Sequence, residues 1–204
     1  MMNNQPGELG LRIAERIRDQ RQRQGLSLAV LAGKCGVSRS MISLIERGET
    51  SPTAVILEKL AEGLGVEFAS LFDGPAATGD TQRGVVLRRE DQVEWSDPAS
   101  GYLRRNLSPP GIDQPLQLVE VVFPPGERVI FDAGPRNDVV CQQIWLLEGE
   151  MEIGTGTDLH RLHAGDCLAR HQHSNTVYHN PGAVPARYVV ALSYSSGTRK
   201  DLGR

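Results

Sequence analysis

Two rhythms of apolar and polar residues divide this 204-residue chain. From Leu9 to Phe72, apolar residues recur every three or four positions, which puts them on one face of a helix. From about Val85 to Tyr194, short alternating or β-branched runs stand between turn signals, the period-two habit of strands. Between them Asp73–Arg83, DGPAATGDTQR, has no apolar period and many helix breakers. The pattern predicts a tail at 1–8, a helical domain at 9–72, a joint at 73–84, a β domain at 85–195 and a tail at 196–204.

The helical part is most explicit from Ser27 to Pro52. Ser27 is placed to cap a short helix whose inward face is Leu28, Leu31 and Ala32. Gly36 fits the left-handed position where that helix must stop. Val37 packs in the corner, and Ser38 caps a second helix running from Arg39 to about Arg47. Ile42 and Ile45, three apart, face the core, leaving Arg39, Ser40 and Ser43 on other sides. Gly48 ends this helix and Pro52 opens the next. Two short helices across a tight turn read as a DNA-reading unit, the second helix expected in the major groove, with a generic helical hairpin of no DNA role as the alternative.

The β part predicts strands at Gly84–Leu87, Leu116–Phe123, Gln143–Leu147, Met151–Ile153, Cys167–Ala169, Asn175–Tyr178 and Arg187–Ser193. Turns fall at Pro124–Gly126, Glu148–Glu150, Ala164–Asp166 and Asn180–Gly182. Many short strands in so few residues indicate a closed antiparallel barrel or jelly roll, with a flat sandwich as the alternative.

Charge sharpens the division. The net charge is −3. Residues 1–72 hold nine basic and eight acidic residues, a net of +1, so residues 73–204 carry thirteen and seventeen, a net of −4. The acidity lies outside the DNA unit, where Arg39, Arg47 and helix N-termini must attract phosphate. Cys35, Cys141 and Cys167 lack metal-ligand spacing and read as buried thiols. No apolar run is long enough for a membrane span and the N-terminus lacks a signal-peptide core, so a cytoplasmic protein without membrane association is expected.

The helical segment resembles the XRE, phage-repressor-like helix-turn-helix family. The likeness rests on Gly25-Leu26-Ser27, Ala32, Val37-Ser38, Ile45–Gly48 (IERG), Ser51–Thr53 (SPT) and Leu57–Val66 (LEKLAEGLGV). It implies a five-helix domain and an internal ion pair between Arg21, late in the first helix, and Glu46, late in the recognition helix. The expected DNA-facing set is Ser38, Arg39, Ser40, Ser43, Arg47, Ser51 and Thr53.

The β region resembles a cupin jelly roll through Pro124–Glu127 (PPGE), Trp145–Ile153 (WLLEGEMEI), Leu162–Ala169 (LHAGDCLA) and His179–Gly182 (HNPG). The fold class implied is an α+β chain of an all-α reader and an all-β cupin. Many cupins bind a metal through two histidines, a glutamate and a further histidine. Here the glutamate place falls on Gln142 and the last histidine place on Thr176. The first two fall on Arg136 and Asp138, or on Pro135 and Asn137 with a shorter loop. At none of these places does the expected histidine or glutamate stand, and Gln142 and Thr176 are poor ligands, so no metal or other cofactor is expected. A displaced site on His171, His173 and His179 is the minor alternative to polar loop histidines.

The inward positions Gln142, Ile144, Thr176 and Tyr178, with Arg136 and Asp138 at the mouth, are the residues a small organic ligand would meet. Equally, they could fill a solid barrel. Trp145, alternating with Ile144 and Leu146, is a candidate for sheet-on-sheet contact. The function expected is a non-enzymatic transcriptional regulator that binds palindromic operator DNA as a homodimer and senses a small-molecule effector. Alternatives are a cupin used only for dimerisation or protein binding, an antitoxin-like or architectural DNA binder, and a metal-dependent cupin enzyme.

Overall fold

The computed structural model describes residues 8–66, 68–72, 86–109, 116–132, 140–171 and 175–194. Four α-helices come first: α1 (Glu8–Arg23), α2 (Leu28–Cys35), α3 (Arg39–Glu46) and α4 (Ala54–Leu64). Ser27 Oγ accepts the Val30 amide at 3.2 Å, Ser38 Oγ accepts Met41 at 3.2 Å, and Thr53 Oγ1 accepts Ile56 at 3.4 Å. Each hydroxyl thereby satisfies an amide that its helix leaves orphaned. Gly36, at φ 68°, closes α2 by donating to Ala32 O at 2.9 Å. Ile13, Ile17, Leu31, Ile42, Ile45, Leu57 and Leu60 fill the centre, each at most 1% exposed.

The fifth helix is a correction. Phe68–Phe72 forms a single 3₁₀ segment, not an α-helix. Short connecting pieces commonly take this tighter form, and here the bulky rings turn toward a second layer.

That layer has ten strands among the described residues: β1 (Glu94–Ser96), β2 (Leu103–Asn106), β3 (Leu116–Phe123), β4 (Arg128–Phe131), β5 (Val140–Glu148), β6 (Glu150–Thr155), β7 (Asp158–His163), β8 (Cys167–His171), β9 (Thr176–His179) and β10 (Ala186–Tyr194). They form a six-stranded sheet, β1-β2-β3-β10-β5-β8, facing a four-stranded sheet, β4-β9-β6-β7. Every pairing is antiparallel, as in a cupin jelly roll. Gly149, at φ 78°, carries the β5–β6 turn. A Cβ there would lie 2.9 Å from Ala186 Cα, so backbone approach as well as φ calls for glycine.

Several strand expectations shift. Val86 and Leu87 are not in a strand. β1, β2, β4 and β7 add pairings that the alternation left unread. Among the thiols only Cys35 is buried; Cys141 and Cys167 are exposed, because they alternate with inward-facing Gln142 and Leu168 on the larger sheet's outer side.

The two layers share one core. Phe72 meets Trp95 edge-on at 5.4 Å, and Phe68 meets Phe131 at 6.5 Å. The Arg104 guanidinium lies over Phe68 at 5.1 Å and Phe72 at 5.0 Å. Lys59 pairs with Asp132 at 3.1 Å. The Ala54 amide, the first of α4, donates to Asp97 Oδ1 at 2.8 Å. The helical layer is thus packed against the jelly roll through rings, charge and a buried hydrogen bond.

Candidate DNA-reading surface and effector cluster

The outer side of α3 follows from its periodicity. Ile42 and Ile45 are buried, so Arg39 and Ser40 are exposed and Ser43 is half-buried. Ser38 Oγ lies 3.1 Å from Ser40 Oγ and also caps the helix. Arg39 therefore stands at the N-terminal end of α3, beside the positive end of the helix dipole.

Arg47 is differently placed. Its Nε and Nη2 donate to Glu49 Oε1 and Oε2 at 2.6 and 2.8 Å, and Nη1 donates to Ser43 Oγ. Glu49 therefore competes with phosphate for the Arg47 guanidinium. Ser51 and Thr53 lie half-buried in the α3–α4 connection, with the Thr53 hydroxyl already used as a cap.

Arg21 and Glu46 hold α3 to α1. Arg21 Nε donates to Glu46 Oε1 at 2.6 Å and Nη2 to Oε2 at 2.7 Å, while Nη1 donates to Leu26 O at 2.9 Å. The two-point fork fixes both position and angle. It also pushes the Arg21 pKa up, chiefly through the hydrogen bond to Glu46.

The second cluster bridges the two sheets. Gln142 stands opposite Arg170 across β5 and β8. Thr176 and Tyr178 face them from β9, at 1% and 7% exposure. Arg170 joins all three: Nε donates to Gln142 Oε1 at 2.7 Å, Nη1 to Thr176 Oγ1 at 2.7 Å and Nη2 to Tyr178 Oη at 3.3 Å. Tyr178 Oη also lies 3.4 Å from Gln142 Oε1. Burial pushes the Tyr178 phenol upward against the opposing pull of Arg170, so it remains a neutral hydroxyl. Ile144, the next inward residue of β5, has no exposed surface and packs among the core side chains beneath. Arg136, Asp138 and His173 lie outside the described residues.

The cupin metal does not fit these donors. Gln142 and Thr176, at two matched ligand places, both accept from a guanidinium, whose charge repels a metal cation. His179 points to the other side of β9, its Nδ1 2.9 Å from Glu152 Oε2. Among the described residues no three His, Cys, Asp or Glu side chains converge as metal ligands. The open cleft lined by Arg89, Glu90, Gln92, Glu94 and Arg105 lies apart from this cluster, at the β1–β2 edge.

Relatives place this geometry. Residues 17–71 match the helix-turn-helix family HTH_3. The chain is 30% identical over 174 residues to the HTH-type transcriptional regulator PuuR of Escherichia coli K12, covering 82% of this chain and 89% of that one. The chain belongs to the XRE family of helix-turn-helix transcriptional regulators. The regulator is also 23% identical over 178 residues to the HTH-type transcriptional regulator SutR of the same organism, covering 87% and 92% of the two chains. A crystal structure of an HTH_3 family transcriptional regulator from Vibrio cholerae aligns at a TM-score of 0.72 and 25% identity, over 92% of this chain and 97% of that one. The likeness therefore runs through both layers of the regulator.

One central residue of this XRE regulator escaped the sequence reading. Arg170 was absent from the expected ligand set, although its signal was present. Cys167–His171 alternates, so Leu168 and Arg170 share the inward face.

Proposed function

We propose that this DNA-binding transcriptional regulator reads an operator through Arg39, Ser40 and Ser43, pairs through its jelly rolls, and senses a small molecule at the Gln142–Arg170–Thr176–Tyr178 cluster. The observation that carries the reading is the continuity of its parts. An outward-facing α3 is fastened through Glu46 to α1, while the helical layer shares rings with the barrel that holds the cluster. Ser38 and the first α3 amides suit phosphate, whereas Arg39 suits guanine O6 and N7. The cytoplasm is the compartment that fits such a role.

A second copy is the partner we favour for the larger sheet's outer face. Trp145 is 52% exposed there, opposite Val189, with Leu118 opposite Ala191 nearby. One recognition helix reads only a few base pairs, so a symmetric pair gains a second half-site about 34 Å away. The reading of the barrel as a metal-dependent enzyme is disfavoured by the donors themselves, since Arg170 engages Gln142 and Thr176.

Footprinting and sedimentation test this reading. Arg39→Ala should lose about 1–3 kcal/mol of discrimination at one base pair per half-site. Trp145→Asp should yield monomers with weakened, single-half-site protection. Equal losses on operator and random DNA would reduce Arg39 to a phosphate contact. A Trp145→Asp protein that still sediments as a dimer would remove that face from the interface.

A further inference from the structure

We infer that Arg170 is the barrel's resident cation, standing where a cupin metal would stand, and that the effector it receives carries a carboxylate. The inference rests on the sensing role proposed above and names the chemistry of that site.

The argument starts from charge. Arg170 is half-buried, and its three hydrogen bonds to described residues all go to neutral acceptors: an amide oxygen and two hydroxyls. Among the described residues no carboxylate pairs with it. Three strand arginines of the jelly roll differ: Arg105 pairs with Glu94 and Glu120, Arg161 with Glu152, and Arg187 with Glu120 and Glu148. A partly desolvated cation gains most from an anion brought to it.

Geometry adds direction. A guanidinium has five N–H donors, and among the described residues the three bonds to Gln142, Thr176 and Tyr178 leave two. Its neighbours hold the plane from two strands of different sheets, β5 and β9, so the fork is oriented before a ligand arrives. The Arg170 charge also lies over the Tyr178 ring, 5.7 Å from its centre, which tethers the side chain inward. Preorientation of this kind suits the two oxygens of a carboxylate.

The site reaches the DNA reader by contact. Tyr178 meets Phe131 edge-on at 5.8 Å, and Phe131 meets Phe68 of the helical layer. A carboxylate that draws Arg170 away from Tyr178 acts on the first ring of this series. It changes operator affinity only insofar as it prefers one arrangement of the rings.

The test uses full-length regulator and carboxylates matched with their neutral amides: acetate with acetamide, succinate with succinamide, and benzoate with benzamide, at constant ionic strength. Thermal melting and operator titration are read for each. At least one carboxylate should raise the melting midpoint beyond its amide. Its half-saturating concentration should rise at least about tenfold in Arg170→Gln, as expected for losing a charge-assisted hydrogen bond. Arg170→Lys, which keeps charge but loses the fork, should fall between and serves if Arg170→Gln fails to melt cooperatively. Equal stabilisation by amide and acid, an unchanged response in Arg170→Gln, or no carboxylate response overturns the inference. Should amides alone alter operator affinity, sensing survives and the carboxylate assignment falls. Should a carboxylate bind through Arg170 without moving operator affinity, the site survives and the sensing role falls.

Discussion

Asp97 of the jelly roll caps the Ala54 amide at the start of α4. Its Oδ1 accepts that amide at 2.8 Å, while Oδ2 accepts the Ser100 amide at 2.9 Å and hydroxyl at 2.6 Å. Asp97 is 2% exposed, so water cannot readily replace it. Asp97→Ala strands these donors and should cost about 1–3 kcal/mol of stability. Urea unfolding measures the loss. A midpoint equal to the parent's would show that the cap contributes little.

The Arg21–Glu46 pair should be more sensitive still. Its side chains are 13% and 6% exposed, so removing Arg21 leaves a carboxylate nearly out of water. The cost for a fully buried pair is about 3–5 kcal/mol, an upper bound here. Arg21→Ala should lower the melting temperature and weaken DNA binding by loosening α3. A double-mutant cycle with Glu46→Gln that shows no coupling would refute the pair's role.

Glu49 should act as a brake on DNA affinity. It occupies Arg47, and the same hydrogen bond pulls the Glu49 carboxyl below its ordinary range. Glu49 is therefore ionised at neutral pH, and the pairing is lost as pH falls through that lowered value. Glu49→Gln should free Arg47 for phosphate, tighten binding and steepen its dependence on log salt by about 0.9 per added contact. An unchanged salt slope would show that Arg47 stays off the backbone.

Three of the four tyrosines should resist alkali. Burial is the largest influence on Tyr102, Tyr178 and Tyr188, and pushes each phenol up. A group raised in the folded state keeps its full stabilising share below its unfolded pKa, about 10. That share declines as pH climbs toward the folded value. Absorbance at 295 nm should show these three ionising together with unfolding. Smooth titration of all four near pH 10 in a folded protein would contradict their burial.

The reader was legible because several local signals coincide. Ser27, Gly36 and Ser38 each specify a cap within a few residues, and Ile42 and Ile45 fix which way α3 faces. β3 was equally plain, as eight residues rich in valine and leucine. β1 has three residues and β2 reads LRRN, with two arginines buried side by side, so neither offers an alternating apolar run. Their places depend on partners far along the chain: Arg104 needs Phe68 and Phe72. The breaker-rich joint suggested separation, while the contact between layers resides in rings on either side of it. The polar cluster between the sheets was half visible through Gln142, Thr176 and Tyr178. Arg170 escapes because the alternating run predicts a strand only to Ala169, two residues before β8 ends.

The rings and cap that fasten the reader to the barrel have a consequence for measurement along DNA. In the proposed pair, neither recognition helix has slack of its own. The tilt at which two sheets meet becomes a fixed gauge, as with callipers whose arms are riveted. An operator with one extra central base pair displaces the far half-site by about 3.4 Å and turns it around the duplex. A reader on a loose tether would forgive that change. This one should reject it, making the length between half-sites as much a part of its vocabulary as the bases themselves.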